Sequence, residues 1–327
     1  MPINSDSKKD IATEILSREL NIVPTKLARF TTGNCHSVYY VEAKNDRYVL
    51  RVTSEANKIY HFGSVKWLNE LVKLAVSVPK ILSHGRYGED IYYVLITFIC
   101  GKDLGEIYHT LNDYQKRDIV KALSDIQKKV ATLPSKKSYG HGDASFVTWS
   151  EAIKNHIERS RKRIRNNNVF DMGLCDAVDE IMGTLENYFS GIEPVAFLDD
   201  ITTKNVLIHE GRLDGIVDID EICYGDPLLT VGLTKMALLA MRADTRYIDY
   251  WLDEMQVNDV QMQAVTFYTL LFCIDFMGEQ GMKFANDNVV EINQEKVELL
   301  SSIYSELLSN LHGSDISCQL HPNQLQD

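Results

Sequence analysis

The feature that most constrains this chain is a compact β segment, residues 195–217, set inside a half that otherwise reads as helix. Two short apolar runs, 206–208 and 213–217, flank a tight Glu210-Gly211-Arg212 turn. Aliphatic runs joined by such a turn pair as an antiparallel hairpin. Pairing fixes more than two strands, because it brings the loop before the first strand and the residue after the second to the same end. Asp200, Asn205 and Asp218 are thereby gathered, although 18 positions separate the first from the last.

An Asp, an Asn and a second Asp at one edge are hard oxygen donors. Such donors suit Mg²⁺, which keeps several waters and binds through one or two carboxylates together with nucleotide phosphates. Phosphoryl transfer uses this equipment: one carboxylate orients or deprotonates the acceptor hydroxyl, while Asp and Asn hold the metal. The competing use of Asp200 and Asn205 is to cap backbone groups in a surface turn. For Asp218 it is a plain strand-end carboxylate. A calcium loop starting at Asp218 is excluded, since Ile222 stands at its fifth position and its Gly is missing.

The rest of the chain supplies a frame for that segment. Ile11, Ile15, Leu16 and Leu20 have helical spacing over 8–20. Alternating texture then predicts strands at 37–42 and 47–52 around an Ala43-Lys44-Asn45-Asp46 turn, and a helix carries Val65, Leu68 and Val72. A second hairpin runs 80–83 and 91–99, and beyond Cys100-Gly101-Lys102 the pattern is mostly helical. The reading is an N-terminal α+β lobe at 1–99, a larger helical lobe at 100–312, and a polar, disordered tail at 313–327.

Composition narrows the partners. With 34 Lys+Arg against 46 Asp+Glu, the net charge of −12 disfavours a phosphate-seeking nucleic-acid binder. The basic run 159–165 has no interleaved aromatics and reads as a solvated helix face. Six scattered cysteines without metal-like spacing read as free thiols in a reducing compartment. The N-terminus shows no basic region followed by an apolar stretch, and the most apolar runs, 92–100 and 269–277, fall short of a membrane span of about 20 residues. A soluble, cytoplasmic protein with no membrane partner is expected; its oligomeric state is not legible.

D-x-x-x-x-N, two strands, an Asp and then Gly225-Asp226-Pro227 together resemble the aminoglycoside phosphotransferase family, protein-kinase-like small-molecule kinases related to choline and fructosamine kinases. The resemblance extends upstream in the same order. Thr32-Gly33-Asn34-Cys35-His36-Ser37 sits where that family has its nucleotide loop, Arg51 lies on the strand whose Lys or Arg reaches the phosphates, and Thr97-Phe98-Ile99 matches the adenine hinge. The resemblance implies a two-lobed, protein-kinase-like α+β fold with ATP or GTP in the cleft. It assigns Asp200 as the catalytic carboxylate and Asn205 and Asp218 as Mg²⁺ ligands. Nucleotide contacts are carried over to Gly33, His36, Ser37, Arg51, Thr97, Phe98 and Ile99.

Three departures from the family pattern stand out. Leu198 and Asp199 replace the usual His-Gly before the catalytic Asp, no Glu stands where the ion-pair partner of Arg51 belongs, and no acid follows Gly225-Asp226-Pro227. Glu55 and Glu70 are the available substitutes on the helix side. His141-Gly142-Asp143 spells the family triplet literally, but Thr148 and not Asn stands five positions on, so it reads as a loop before a helix that starts near Trp149.

From the residues themselves, Arg51 shares a strand face with Val49, while Tyr48, Leu50 and Val52 face the other way. An Arg on an apolar strand needs a charged partner, either a phosphate or a surface acid. Asp226 reads as a buried acid tying its loop to backbone groups. Asp220 and Glu221, next to the metal Asp, are acceptor-binding candidates. So are Asp275 and Glu279, an i,i+4 pair on an apolar helix that serves either a cationic acceptor or an internal salt bridge. The acceptor is a small hydroxylated molecule, cationic or neutral: an aminoglycoside or similar antibiotic by resemblance, or a metabolite such as an amino alcohol or sugar. A nucleotide-binding pseudoenzyme with a regulatory role is the reading from another class.

Overall fold

The strands at 26–54 and 81–97 form one antiparallel sheet: Ser37–Ala43 buries every second side chain, whereas Ile91–Thr97 buries Tyr93, Val94, Leu95 and Ile96 in succession, as a strand covered on both faces does. The computed structural model describes residues 5–30, 36–142, 146–282 and 290–318. The strands are β1 (Lys26–Arg29), β2 (Ser37–Ala43), β3 (Asp46–Ser54), β4 (Ile81–Tyr87) and β5 (Ile91–Thr97), in the spatial order β1-β2-β3-β5-β4. Tyr39, Val41, Leu50, Tyr93 and Leu95 pack with Ala12, Ile15 and Leu16 of the N-terminal helix to form a core. That helix, Ser5–Glu14, continues into a π-helical turn, Ile15–Glu19. Tyr48 and Val52 pack on the same core as Leu50, so the expected alternation on β3 holds and Arg51 faces the other way, toward helix Lys58–Lys73.

The contacts divide the described chain into two units, and the division is not a single cut. The first unit contains Met1–Lys102 together with Asn205–Ile222. The expected hairpin forms from Val206–His209 and Arg212–Ile216, with Val206 opposite Ile216 and a bulge between Leu213 and Gly215. It is fastened to this unit by the Ile216 N–H donating to the Ser77 carbonyl at 2.8 Å. Gly101 allows the same attachment: its φ is +113°, and a Cβ there would lie 2.7 Å from the Ile208 carbonyl oxygen.

The second unit contains Asp103–Lys204, Cys223–Met282 and the chain from Val290. It is built from helices Asp113–Val130, Trp149–Asn167, Gly173–Thr184, Leu228–Ala240, Arg246–Met255, Asp259–Gly278 and Gln294–Cys318. As expected, one begins at Trp149, with the Thr148 hydroxyl accepting the Glu151 N–H. A small sheet places Cys223–Gly225 between Gly140–His141 and Val195–Phe197. Helix Asp259–Gly278 is long and apolar enough to cross a membrane, yet most of it is buried inside the fold. The last helix runs on to Cys318, past residue 313 where a tail was expected; 319–327 lie outside the described residues.

Candidate functional site

In the first unit the chemistry collects around Arg51. Only 4% of this residue is exposed, so its charge must be matched inside the protein. Its Nη2 donates to Asp220 Oδ1 at 2.6 Å and to Asp218 Oδ1 at 3.1 Å, and its Nη1 to the Ser64 hydroxyl at 3.0 Å. The other oxygen of Asp220 lies 2.8 Å from His36 Nε2, and His36 Nδ1 lies 2.6 Å from Thr53 Oγ1. Burial by itself would raise the Asp220 pKa, but Arg51 and His36 outweigh it and hold the carboxyl below its usual range. Glu55 and Glu70, the helix-side substitutes, pair instead with Lys58 and Lys73. The acids paired with Arg51 come from the Asp218-Ile219-Asp220 segment.

The hairpin sets two of the predicted metal ligands. Val217 N–H donates to the Asn205 carbonyl at 3.0 Å, which ties the start of one strand to the end of the other and makes Asn205 and Asp218 neighbours along the ladder. Asp218 takes up φ +60°, a left-handed conformation that few residues other than Gly adopt and that Asp tolerates better than most, and its side chain is 48% exposed. Among the described residues no three His, Cys, Asp or Glu side chains are grouped to cage a metal. An amide oxygen and one accessible carboxylate do fit Mg²⁺, which takes its remaining ligands from phosphates and water.

The other nucleotide-loop and hinge candidates fall on the same unit. Gly33 lies outside the described residues. His36 is engaged by Thr53 and Asp220 as above, and Ser37 opens β2 opposite Val52. Thr97 closes β5 and exchanges hydrogen bonds with Lys80, its N–H donating to the Lys80 carbonyl and its hydroxyl accepting the Lys80 N–H. The Phe98 ring sits edge-on to Tyr40 and beneath the Arg47 guanidinium, and Ile99 packs over Gly215. Glu221 is half-buried.

In the second unit Asp200 is exposed, on a loop held by its neighbours. The side-chain amide of Gln127 grips the Leu198 backbone at both ends: Leu198 N–H donates to Oε1 at 2.9 Å, and Nε2 donates to the Leu198 carbonyl at 2.8 Å. The Thr230 hydroxyl adds a second donor to that carbonyl at 2.8 Å. Gly105 N–H donates to the Thr203 carbonyl, and Leu198, Ile201, Thr202 and Thr203 are buried. Thr202 Oγ1 donates to Asp200 Oδ1 at 3.2 Å. His141, from the triplet set aside on sequence, reaches Asp199 at 3.5 Å. Asp143 lies outside the described residues.

Asp226 anchors the following turn. It accepts the Leu228 N–H at 3.0 Å, as its structural reading required, and the Tyr188 and Tyr268 hydroxyls besides. The acidic pair on helix Asp259–Gly278 resolves into two different groups. Asp275 accepts from Ser160 Oγ at 3.0 Å and Arg163 Nη1 at 2.7 Å, with Arg159 and His156 at 3.7 Å. This is the internal salt bridge left open on sequence, and it turns part of the supposedly solvated basic run inward. Burial would raise the Asp275 pKa, but His156, Arg159 and Arg163 drive it far below the usual range.

Glu279 follows the helix and has its pKa raised by burial and by Asp275, against the pull of Arg163 and Lys204. Asp103 is pushed up to about 6 by burial and Glu106, again opposed by Lys204. Both half-buried acids lie within electrostatic reach of the exposed Lys204.

Sequence reasoning missed Gln127, Thr230, Ser64 and Asp103. Gln127 had a signal: it is a polar residue on the stripe Lys116, Val120, Leu123, Val130 that helix Asp113–Val130 buries.

Residues 26–259 match the sequence profile of the phosphotransferase enzyme family. The hygromycin-B 4-O-kinase of Escherichia coli is 23% identical over 235 residues, which is 68% of this chain and 66% of that protein, just under two thirds of its length. A probable ketoamine kinase of Staphylococcus aureus (strain NCTC 8325 / PS 47) is 20% identical over 219 residues, 62% of this chain and 71% of that one. Among solved structures, a thermostable mutant of an aminoglycoside phosphotransferase in ternary complex with ADP and hygromycin B superposes with a TM-score of 0.61 at 14% identity, covering 94% of this chain and 97% of that one. The fold is kinase-like.

Proposed function

The chain belongs to the phosphotransferase enzyme family, and from that premise we propose that it moves the γ-phosphoryl group of ATP or GTP to a hydroxyl of a small acceptor, using Mg²⁺. The observation that carries this reading is the half-exposed Asp218 beside the buried Arg51. A cation that cannot relax into water, next to an accessible carboxylate, is the pairing a metal–triphosphate needs. Arg51 would neutralise phosphate oxygens, and Asn205 and Asp218 would hold the metal. Bound there, Mg²⁺ would spread the charge of the transferring group. Asp200 would orient the acceptor hydroxyl and take its proton, and the braced backbone of Leu198 would keep that carboxylate in place.

For the acceptor, Asp103 and Glu279 around Lys204 support a cationic, hydroxylated molecule. An aminoglycoside, and with it a role in antibiotic resistance, is favoured by the likeness to the hygromycin-B kinase. A ketoamine or another metabolite is the second acceptor class, on the likeness to the ketoamine kinase. Cys100, Cys175, Cys223 and Cys273 form no disulfide among the described residues, which supports a cytoplasmic location.

The test is incubation with MgATP and a panel of hygromycin B, other aminoglycosides, fructosyl amines, amino alcohols and sugars, with phosphorylated products followed by mass spectrometry. Turnover of a panel member that disappears in Asp200→Asn supports the reading. Nucleotide binding with no product from any member supports the regulatory pseudoenzyme. A folded protein that binds no nucleotide removes both.

A further inference from the structure

We propose that Asp220 is the positioning residue for the phosphate-facing Arg51, fixing its guanidinium from the Asp218-Ile219-Asp220 segment and leaving Asp218 free to serve a metal. The inference rests on the nucleotide reading above and adds the group on which that reading depends.

The two acids on Arg51 are built differently. Asp220 is 16% exposed in its side chain, makes the shorter contact at 2.6 Å, and uses its second oxygen on His36. Asp218 makes one longer contact from a half-exposed side chain. A carboxylate with both oxygens engaged on protein donors has little capacity left for a ligand, whereas one with a single contact can be shared.

Asp220 is also the middle link of a continuous chain. Thr53 on β3 meets His36, His36 meets Asp220, Asp220 meets Arg51, and Arg51 meets Ser64 on helix Lys58–Lys73. Every link is 3.0 Å or shorter. The Asp220 backbone is fixed as well. Helix Lys58–Lys73 approaches so closely that a Cβ on Gly63 would overlap the Asp220 carbonyl oxygen.

This arrangement answers the missing helix Glu. The helix contributes a neutral hydroxyl, and the anion that orients the arginine arrives from the segment carrying the metal Asp. His36, expected to touch nucleotide, acts one step back by holding Asp220. A purely structural ion pair would have the same geometry, so the two roles must be separated by what the protein binds.

The experiment is calorimetric titration of wild type, Asp220→Asn, Asp218→Asn and His36→Gln with three probes: MgADP, ADP in EDTA, and adenosine. In Asp220→Asn, affinity for both forms of ADP falls by about tenfold or more, the scale of losing a charge-assisted contact, and adenosine stays within about twofold. In Asp218→Asn, MgADP weakens while ADP in EDTA does not. Asp220→Glu, which keeps the charge, recovers part of the loss.

The proposal is overturned if Asp220→Asn binds ADP in EDTA like wild type, or if adenosine and ADP weaken equally. If Asp220→Asn does not fold, His36→Gln carries the test with a loss of roughly threefold on ADP alone, and unchanged ADP affinity there overturns it. A folded wild type that binds neither form of ADP removes the nucleotide reading itself, which separates that failure from this one.

Discussion

Two of the three places where the chain departs from its family's pattern are repaired by opposite means. Around Arg51 the repair is ionic: the buried arginine is linked to Asp218 and Asp220, and Asp220 to His36, by contacts of 2.6 to 3.1 Å. Before Asp200 it is neutral: an amide and a hydroxyl grip the Leu198 backbone. The difference follows from the work that the proposed function gives each region. A guanidinium aimed at phosphate needs its charge fixed in direction, and only an acid does that strongly. A carboxylate proposed to take the acceptor's proton must be reachable by that acceptor, and neutral braces on the Leu198 backbone hold its loop without adding a charge.

The largest effect should separate chemistry from binding. Asp200→Asn is expected to lower phosphoryl transfer by roughly 10³-fold, the scale of losing a positioned general base. MgADP affinity should stay within about twofold. Product formation by mass spectrometry and calorimetry report the two quantities. A parallel fall in both would break the contrast between a binding arm and a chemical loop.

The arm should then prove the less forgiving region in stability. Arg51→Met removes the cation from beside the buried Asp220 carboxylate, and breaking a buried pair from one side costs about 3 kcal/mol or more. Urea unfolding measures it. Arg51→Lys should recover much of the stability but little of the phosphate affinity, because a point charge cannot reproduce the guanidinium fork reaching both acids and Ser64.

Legibility from sequence followed the same contrast. The sheet, the hairpin at 206–216 and the gathering of Asn205 with Asp218 could be read from local patterns, since alternation and a two-sided turn are short-range signals. The side of β3 taken by Arg51 was readable for that reason too. Its partner was not: Asp220 is 169 positions away, and the search for an acid was confined to the helix. Gln127 lies 71 positions from Leu198, and its amide contacts backbone, which leaves no residue-type signature at the other end. Only its polar character on a buried stripe marked it. The Asp275 pair was legible as a pair, but its choice between ligand and salt bridge depended on Arg163, 112 positions earlier.

A smaller effect sharpens the neutral half of the comparison. Gln127→Ala leaves the Leu198 N–H without its acceptor and the carbonyl with Thr230 alone, and is expected to cost about 1–2 kcal/mol in stability. If the clamp positions Asp200, kcat falls about tenfold while MgADP affinity does not change. Gln127→Glu should restore the contact to the N–H and part of the rate. Amide exchange of the peptide containing Leu198 reports the loosening independently of turnover. A drop in stability with kcat intact would mean that the brace serves the fold and not the loop.

A last effect, of similar size, tests whether an ionic cluster in the second unit is a brace like that of the first or an acceptor site. Asp275 has its folded pKa held below the unfolded value of 3.8, so the native state binds fewer protons and the ion pairs add stability above about pH 4. That contribution is lost as the pH falls through and below the unfolded value. At pH 7, Asp275→Asn should therefore be less stable than wild type by about 2 kcal/mol, and urea melts at pH 7, 5 and 3 should show the gap closing at the acid end. Because Arg163 and Ser160 already occupy this carboxylate, KM for a cationic acceptor should respond to Glu279→Gln and not to Asp275→Asn, once stability is allowed for. The reverse order would move Asp275 from the frame into the acceptor site, and charge in this second unit would then be serving ligand rather than fold.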